Sequence, residues 1–403
     1  MLNKTKKVTV LGLGYIGLPT AALLASNGYE VAGFDIKNNV VDTINKGEIH
    51  IVEPDLDAYV RSAVSSKKLQ AYNQPQSADV YMICVPTPFK GDSHEPNLEF
   101  VLEATKSISR LIKKEDIIIL ESTSPVGTTE MIKDVLKAQN VDTSSIYIAY
   151  CPERVLPGKI MSELVSNDRV IGGINDASTK MASEFYKTFV KGEILETESK
   201  TAEMCKLTEN SFRDVNIAFA NELSMICDTH KIDVWSLIEL ANHHPRVNIL
   251  QPGTGVGGHC IAVDPWFIVS GDPKNSKIVK TARDVNNSKP QWIVSMIQRF
   301  IDNSSNKNPK IACLGLAFKP NIDDLRESPA IEVVNLLIEQ GKNIIVVEPN
   351  ISNHEELILR NIEEAIQEAE IIVILVNHVE FSSHEIKEKF KGMCVLDFCG
   401  ALQ

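Results

Sequence analysis

The first half of the chain alternates short apolar runs with amphipathic stretches. Short apolar runs bounded by polar residues are typical of buried strands, and apolar positions at helical spacing indicate helices. Strands that alternate with helices imply a parallel sheet with both faces covered. Strands are predicted over residues 8–11, 30–34, 80–85, 117–121 and 146–149, and helices over 19–26, 40–45, 98–111 and 129–139.

The pattern changes in the middle of the chain. Residues 201–230 carry a helical pattern that contains neither proline nor glycine. Further helices are predicted over 233–242 and 276–301, the last one interrupted near Lys289 and Pro290. These segments predict an all-helical central domain, whose long helix would join two sheets and supply a dimer surface.

A polar linker over 302–309 precedes a second alternation of strands and helices. The segments VTVLGLG and IACLGLA open the two halves in similar fashion, which predicts a remote duplication of a nucleotide-binding βαβ unit whose second copy has lost its glycine loop. The predicted fold class is α/β, with Rossmann-like domains over 1–199 and 304–403 and a helical domain over 200–303. The second alternation runs through 310–314, 331–339, 343–347, 362–368, 371–376 and 395–398.

Composition narrows the functional classes. The chain has 403 residues, 43% hydrophobic and 23% charged, with a net charge of −12. This acidic balance argues against nucleic acid or an anionic membrane as the main partner, although a local basic cluster can still hold phosphate. Residues 1–7 lack a signal-peptide pattern, and no apolar run reaches the length of about 18 residues that spans a bilayer. A cytoplasmic location is expected.

Gly12, Gly14 and Gly17 form a GxGxxG motif between a predicted strand and a predicted helix. The first glycine permits a tight turn, the second lets a pyrophosphate approach the backbone, and the third allows close packing of helix on strand. Asp35 ends the next strand, where an acid binds a ribose 2′-hydroxyl and repels a 2′-phosphate. The motif predicts an NAD site, with a ligand-free glycine turn as the alternative.

Three more loops follow predicted strands and contain Thr87, Thr123 and the run Glu153-Arg154-Val155. Ligands of an open parallel sheet bind beyond the carboxyl ends of its strands, so these loops are candidates for ligand contacts. Taken alone, the first two are more typical of ordinary turns, and a Glu–Arg pair is most often a surface salt bridge.

Lys206, Asn210 and Arg213 project from one face of the predicted long helix. An exposed polar stripe is the ordinary explanation. Asparagine within a helix costs helix propensity, however, which favours a functional role.

The segment 253–265, GTGVGGHCIAVDP, places four glycines before Cys260 and a carboxylate, Asp264, after it. Glycines let a ligand approach the backbone and the thiol, and a nucleophilic cysteine must be accessible. Cys260 is the best nucleophile candidate, with a structural thiol as the alternative; the eight cysteines lack CxxC pairs and are predicted to be free. Nearby His243, His244 and Arg246 suggest anion or sugar contacts, and no metal site is predicted.

These motifs, together with a loop that contains Phe318, Lys319 and Arg326, resemble the UDP-glucose/GDP-mannose dehydrogenase family. In order, they are GLGYIGLP, VPTP, ESTSPVGTTE, CPERVLPG, EMCKLTENSFRDVNIAFANEL, GVGGHCIAVDP and LGLAFKPNIDDLRESP. The resemblance implies an NAD-dependent four-electron oxidation of a sugar C6 hydroxyl to a carboxylate, through a thiohemiacetal and a thioester on Cys260. It also implies homodimers or higher oligomers built on the central helix.

The resemblance assigns roles to individual residues. It implies catalytic roles for Cys260, Lys206, Asp264, Asn210, Glu153 and Thr123. It implies NAD contacts for Gly12, Gly14, Tyr15, Ile16, Gly17, Asp35, Thr87, Thr123 and Arg326. It implies sugar-nucleotide contacts for Arg154, Val155, Lys206, Asn210, Arg213, His244, Arg246, Gly257, Phe318 and Lys319.

The residues around Cys260 distinguish branches of the family. UDP-glucose dehydrogenases typically carry GGSCFPKD, whereas this chain has His259 in place of the serine and Ala262-Val263 in place of Pro-Lys. This resembles the branch that acts on UDP-N-acetylhexosamines. The expected substrate is UDP-N-acetyl-D-mannosamine, with UDP-N-acetylglucosamine as the alternative, and the choice of epimer rests on resemblance alone. A non-catalytic NAD-binding regulator is the competing class, against which the presence of Cys260, Lys206 and Asp264 argues.

Overall fold

A computed structural model of the chain describes residues 7–91 and 93–403. Most of the segment 1–7, which entered the prediction of location, lies outside the described residues. The chain divides into two compact units, Met1–Thr208 and Glu209–Gln403. Within the described ranges, no helix combines the length and the apolar character that a membrane crossing requires.

The first unit contains an eight-stranded sheet of order β3-β2-β1-β4-β5-β6-β7-β8. Strands β1 to β6 pair in parallel, as predicted, although no strand was predicted at β3, β7 or β8. Strand β7 pairs antiparallel to β6, with Ala149 opposite Gly173. Strand β8 then runs parallel to β7. The strands are β1 Lys7–Leu11, β2 Glu30–Phe34, β3 Leu69–Tyr72, β4 Val80–Ile83, β5 Ile117–Leu120, β6 Tyr147–Tyr150, β7 Arg169–Gly173 and β8 Ile194–Glu198.

Both faces of this sheet are buried. In β5, Ile117 and Ile119 belong to one hydrophobic cluster, whereas Ile118 and Leu120 belong to another, because successive strand residues point to opposite faces. The unbroken apolar run therefore reflects helices packed on both sides of the sheet. The helices are α1 Gly17–Ser26, α2 Asn38–Asn45, α3 Leu56–Ser65, α4 Glu99–Ile108, α5 Thr128–Ala138, α6 Ile160–Ser166 and α7 Asp176–Tyr186.

The central region is helical, as predicted, but its last helix is continuous. The predicted interruption near Pro290 is wrong: Pro290 lies inside the helix and is buried. Buried residues of the following turns, including Ile293 and Ile297, pack into the core of the second sheet, and this packing outweighs the hydrogen bond that proline cannot donate. The helices are α8 Ser199–His230, α9 Val234–Asn242, α10 Asp264–Gly271 and α11 Lys277–Asn303, of which α10 was not predicted.

The second unit also contains a four-stranded parallel sheet of order β10-β9-β11-β12. Strand β9 alternates between two hydrophobic clusters, with Ile311 and Cys313 in one and Ala312 and Leu314 in the other. Its elements are β9 Lys310–Leu314, α12 Pro329–Glu339, β10 Asn343–Val347, α13 Ile362–Glu368, β11 Ile371–Ile374, α14 Val379–Ser382, α15 His384–Lys389 and β12 Cys394–Asp397.

The two sheets repeat one local arrangement, in agreement with the predicted duplication. Gly12 follows β1 with φ +90° and donates its N–H to the carbonyl of Phe34 at 2.8 Å. Gly315 follows β9 with φ +96° and donates to the carbonyl of Val347 at 2.8 Å. In the first copy a helix starts at Gly17, whereas in the second copy the next helix, α12, starts only at Pro329.

Candidate active site

The glycine motif has the geometry of a dinucleotide-binding turn. A Cβ atom on Gly12 would lie 2.9 Å from the carbonyl oxygen of Cys84, and one on Gly17 would lie 1.8 Å from the carbonyl oxygen of Gly12. Gly14 is exposed and faces open space. The turn therefore needs glycine at its first and third positions, and it leaves room above the second for a pyrophosphate. Tyr15 is exposed and Ile16 is half-buried beside it.

Asp35 connects this turn to the end of β2. Its Oδ2 atom accepts the N–H of Leu13 at 3.0 Å, and its Oδ1 atom accepts the N–H of Lys37 at 3.0 Å. Each carboxylate oxygen has a second lone pair for a ribose hydroxyl. The half-buried carboxylate thus fits the predicted NAD site and also shapes it.

The loops after β4 and β5 are bonded to each other. The Thr87 hydroxyl donates to the carbonyl of Thr123 at 2.6 Å, and the Ser122 hydroxyl donates to the carbonyl of Val85 at 2.6 Å. Adjacent strands of a parallel sheet end at one edge, so their loops meet there. Both threonines lie half-buried at this edge.

Glu153 forms a buried ion pair with a residue that is distant in sequence and was not predicted as its partner. The Arg169 guanidinium lies 2.7 Å from Glu153 Oε2, and both side chains are almost fully buried. The other oxygen of Glu153 accepts the N–H of Arg154 at 2.6 Å, whereas the Arg154 guanidinium donates to the carbonyl of Asp168 at 3.2 Å. The Glu–Arg pair is therefore formed by Arg169, and Arg154 and Val155 are left half-buried in the loop.

A second buried carboxyl, Glu121, lies behind this pair. Tyr186 donates its hydroxyl to Glu121 at 2.5 Å, and the Cys84 thiol donates to its other oxygen at 3.2 Å. Burial first and the Glu153 charge second raise the pKa of Glu121 to about 7, against the opposing effect of Arg169. The end of β5 therefore carries a carboxyl group that titrates near neutral pH.

The start of α8 is fixed to the N-terminus of α5. Glu203 is fully buried, and its carboxylate accepts the N–H groups of Gly127 and Thr129 at 2.6 and 2.7 Å. A carboxylate at a helix N-terminus satisfies unpaired N–H groups and interacts favourably with the helix dipole. Lys206 lies one turn further along α8 and is half-buried.

In the second unit the structure brings Asn210, Asp264 and the backbone of Cys260 together. The Asn210 amide donates to Asp264 Oδ2 at 2.6 Å, and the N–H of Asp264 donates to the carbonyl of Cys260 at 2.8 Å. Asp264 is buried and opens α10, whereas Cys260 is half-buried. The asparagine therefore has a defined partner, which the exposed-stripe interpretation did not provide.

The glycines before Cys260 pack against the loop that contains Phe318. A Cβ atom on Gly257 would lie 2.2 Å from the carbonyl oxygen of Glu327, and one on Gly258 would lie 2.7 Å from the Phe318 ring. Gly258 also donates its N–H to the carbonyl of Arg326 at 3.0 Å. The Cys260 loop and the Phe318 loop thus form one packed surface.

The predicted cationic contacts lie mainly on exposed positions of the second unit. Arg213, His244, Arg246 and Lys319 are exposed. Asn242 closes the turn that contains His244. Its side-chain amide donates to the carbonyl of Ile249 at 3.0 Å and accepts the N–H of Ile249 at 2.7 Å. The Arg326 guanidinium binds Asp324, with Nε 2.9 Å from Oδ1.

The structure describes all eight cysteines and joins none of them in a disulfide, as predicted. Burial is the main cause that raises the pKa of six of them, to about 12 for two. The six are Cys84, Cys151, Cys227, Cys313, Cys394 and Cys399. A thiol with a raised pKa is a poor nucleophile at neutral pH, so these six are disfavoured as catalytic groups.

Three family descriptions match successive parts of the chain. The NAD binding domain of the UDP-glucose/GDP-mannose dehydrogenase family matches residues 6–190, its central domain matches 200–288, and its UDP binding domain matches 312–403. The chain belongs to the UDP-glucose/GDP-mannose dehydrogenase family. It is an oxidoreductase that uses NAD as cofactor.

Individual members of the family are similar over nearly their whole length. The UDP-N-acetyl-D-mannosamine dehydrogenase of Campylobacter jejuni is 55% identical over 94% of this chain and 97% of its own length. The NDP-N-acetyl-D-galactosaminuronic acid dehydrogenase of Ralstonia nicotianae is 50% identical over 98% and 96%. The structure of the UDP-N-acetyl-mannosamine dehydrogenase of Staphylococcus aureus superposes with a TM-score of 0.89 at 40% identity, over 98% and 96%.

Several buried charged residues near the predicted site residues were missed from the sequence. Arg169, Glu121 and Glu203 are charged or titratable, yet each lies within an apolar core or at a helix start. An ionisable residue directly next to an apolar strand run is a signal of a paired internal group, because such residues are seldom buried alone. Arg169 at the start of VIGG and Glu121 after IIIL both show that signal.

The Glu153–Arg169 pair should be a major determinant of stability of the NAD-binding unit. Arg169→Met leaves a buried carboxylate without its partner, and we expect the free energy of unfolding to fall by about 3–5 kcal/mol. The double variant Glu153→Gln/Arg169→Met should recover at least half of that loss. Urea denaturation measures both.

Arg61→Met is the matched control, because Arg61 pairs with Asp57 at 3.6 Å on the exposed surface of the same unit. Its expected cost is below about 1 kcal/mol. Equal costs for the two arginine variants would contradict a special role for the buried pair.

Proposed function

We propose that the dehydrogenase oxidises the C6 hydroxyl of UDP-N-acetyl-D-mannosamine to a carboxylate, which gives UDP-N-acetyl-D-mannosaminuronate. The relatives from Campylobacter jejuni and Staphylococcus aureus carry the name of this activity. The structural observation that supports it most is the contact of Asn210 with Asp264, next to a half-buried Cys260 on a glycine loop.

The proposed chemistry has two oxidations and one hydrolysis. NAD supplies the hydride acceptor for each oxidation when it is bound. Between them, the Cys260 sulfur adds to the C6 aldehyde and forms a C–S bond, while the aldehyde oxygen takes up a proton. Loss of the second hydride and a proton leaves a thioester, and water then cleaves the C–S bond to release the carboxylate and the thiol. The adduct retains the aldehyde in the site throughout.

The predicted catalytic residues have separate roles in this proposal. Asp264, oriented by Asn210, holds the water that attacks the thioester, with Thr123 and Glu153 as further positioning groups. Lys206 stabilises the C6 oxygen and exchanges its proton. The NAD contacts, the sugar-nucleotide contacts and the domain limits 1–199, 200–303 and 304–403 that were predicted from the sequence remain part of this proposal. We also propose that the enzyme works in the cytoplasm and that its product serves bacterial surface polysaccharide.

The substrate can be tested with a matched panel of UDP-sugars. We expect UDP-N-acetyl-D-mannosamine to give the highest kcat/KM with NAD. UDP-glucose should be poorer by roughly 10- to 100-fold, because donors that the bound sugar covers would lack the acetamido carbonyl as partner, at about 1–3 kcal/mol per group buried in the complex. The predicted donors are His243, His244, Arg246 and His259.

Product mass and initial rates with each sugar measure this preference. A higher kcat/KM for UDP-N-acetylglucosamine, UDP-N-acetylgalactosamine or UDP-glucose would overturn the substrate assignment and leave the mechanism open. NAD binding without oxidation of any sugar nucleotide would instead favour a regulator on the same scaffold.

Cys260→Ser should stop formation of the acid. A serine hydroxyl cannot replace the thiolate as nucleophile at neutral pH, so uronate formation should fall by at least about 100-fold. NAD binding, followed by calorimetry, should be unchanged. Cys394→Ser, at another half-buried thiol of the same unit, should retain activity. Uronate production by Cys260→Ser near the wild-type rate would exclude the covalent mechanism.

We further propose that two copies associate through α8 as a homodimer. Phe212, Phe219 and Ile226 recur every seven residues along this helix and are 70%, 49% and 49% exposed. This spacing forms one apolar stripe on a helix. The opposite face carries Asp214 and Asn221, which bind Arg283 and Asn286 of α11 at 2.7 and 2.9 Å. The stripe therefore faces away from the helix that packs on α8, and a second copy of the stripe would cover it.

Phe219→Asp should dissociate this dimer, because it places a charge in the centre of an apolar interface. Sedimentation equilibrium should give twice the chain mass of 44.6 kDa for the wild type and the single mass for the variant. Leu240→Asp is the control, since Leu240 is 70% exposed on a different helix, α9. A monomeric wild type, or a dimeric Phe219→Asp, would contradict the proposal.

A further inference from the structure

The second copy of the duplicated unit has a carboxylate anchor at the same place as the first. Glu348 follows β10 as Asp35 follows β2. Its Oε2 atom accepts the N–H groups of Leu316 and Ala317 at 2.7 and 3.0 Å, and its Oε1 atom accepts the N–H of Asn350 at 2.9 Å. The turn after β9 therefore depends on this carboxylate, as the glycine turn depends on Asp35.

A buried histidine is added to the anchor in the second copy. His378 is fully buried, and its Nε2 atom lies 3.0 Å from Glu348 Oε2. Its Nδ1 atom accepts the N–H of Asn321 at 2.9 Å and lies 3.0 Å from the amide nitrogen of Asn350. Because Nδ1 is an acceptor, the ring proton must be on Nε2, which donates to the carboxylate.

The Glu348 carboxylate remains an anion in this arrangement. Burial would raise its pKa, but the hydrogen bonds from His378 and from the N–H groups of Leu316 and Asn350 hold the pKa below its usual range. An ionised carboxylate and a neutral imidazole thus form a buried pair in which every oxygen has a donor.

Together the two residues fix both ends of one short loop. Glu348 holds Leu316 and Ala317 at the start, and His378 holds Asn321 at the end. Asn321 has a left-handed backbone with φ +61° and accepts the N–H of Val379 at 2.9 Å through its side chain. A segment held at both ends has few conformations left to lose when a ligand binds.

The loop between these anchors contains Phe318 and Lys319. The Phe318 ring packs under Gly258, two residues before Cys260, so the position of this loop also limits the position of the Cys260 loop. Lys319 is exposed beside it, where its ammonium group is available to a phosphate.

We propose that His378, acting through Glu348 and Asn321, is a positioning residue that holds the loop 316–321 in the conformation that binds the diphosphate of the sugar nucleotide. This inference rests on the proposed function, since it assumes a UDP-sugar at this loop. It assigns to a buried histidine a role in substrate affinity, and none in cofactor binding.

Titration calorimetry of the full-length protein with UDP and, separately, with NAD tests the inference. His378→Phe keeps the aromatic contact with Phe381, whose ring centroid lies 5.5 Å away, but removes the ring's polar contacts with Glu348, Asn321 and Asn350. We expect UDP to bind on the order of tenfold more weakly, while NAD affinity stays within about twofold. The same loss is expected for Glu348→Gln.

His378→Gln provides the rescue, because its amide retains one acceptor and one donor. It should recover most of the UDP affinity, and KM for the UDP-sugar should follow the same order with kcat changed much less. His384→Phe, at an exposed histidine of the same domain, controls for loss of a histidine.

Unchanged UDP affinity in both His378→Phe and Glu348→Gln would overturn the inference while the proposed function stands. Equal losses of UDP and NAD affinity in all three variants would also overturn it, since that pattern indicates a general defect in folding. Failure of the wild-type protein to bind UDP would remove the proposed function and with it this inference.

Discussion

Backbone N–H groups in the loops that follow the strands need hydrogen-bond acceptors, and in this dehydrogenase buried carboxylates are those acceptors. A buried N–H group without an acceptor costs free energy comparable to a lost hydrogen bond. Glu53 accepts two N–H groups of the segment after β6, Glu203 accepts two at the start of α5, and Glu348 accepts two after β9. Each of these carboxylates is buried and lies far along the chain from the loop that it holds.

The same three carboxylates act on the loops that carry predicted site residues. The segment held by Glu53 contains Glu153, the loop held by Glu203 follows Thr123, and the loop held by Glu348 contains Phe318. The acidic composition of the chain is therefore not only a property of its surface. Part of the negative charge is internal and keeps ligand-binding loops in defined conformations, which reduces the entropy lost on binding.

Local patterns were sufficient for much of the fold and for the glycine motif, but not for the partners of site residues. The strands over 30–34, 310–314 and 343–347 were predicted with their observed limits, because each is an apolar run with polar ends. No strand was predicted at β7, whose short run starts with an arginine and ends with two glycines, and periodicity would not have given its antiparallel direction. Glu153 was identified as a site candidate, yet its partner Arg169 was not, because only the fold brings β7 beside the loop after β6. The continuous helix through Pro290 shows tertiary packing outweighing a local signal.

The duplicated unit has a practical consequence for redesign. In the first copy the acid after the second strand keeps lone pairs for a ribose, whereas in the second copy Glu348 is already committed to His378 and three N–H groups. Replacing Ala317 and Pro320 with glycine would reproduce the GxGxxG sequence of a dinucleotide-binding turn. It would not free the Glu348 carboxylate to accept a ribose hydroxyl. A redesign of the second copy to bind a dinucleotide would first have to remove His378 and shorten the connection to α12. The substitutions to glycine would be the last change to make.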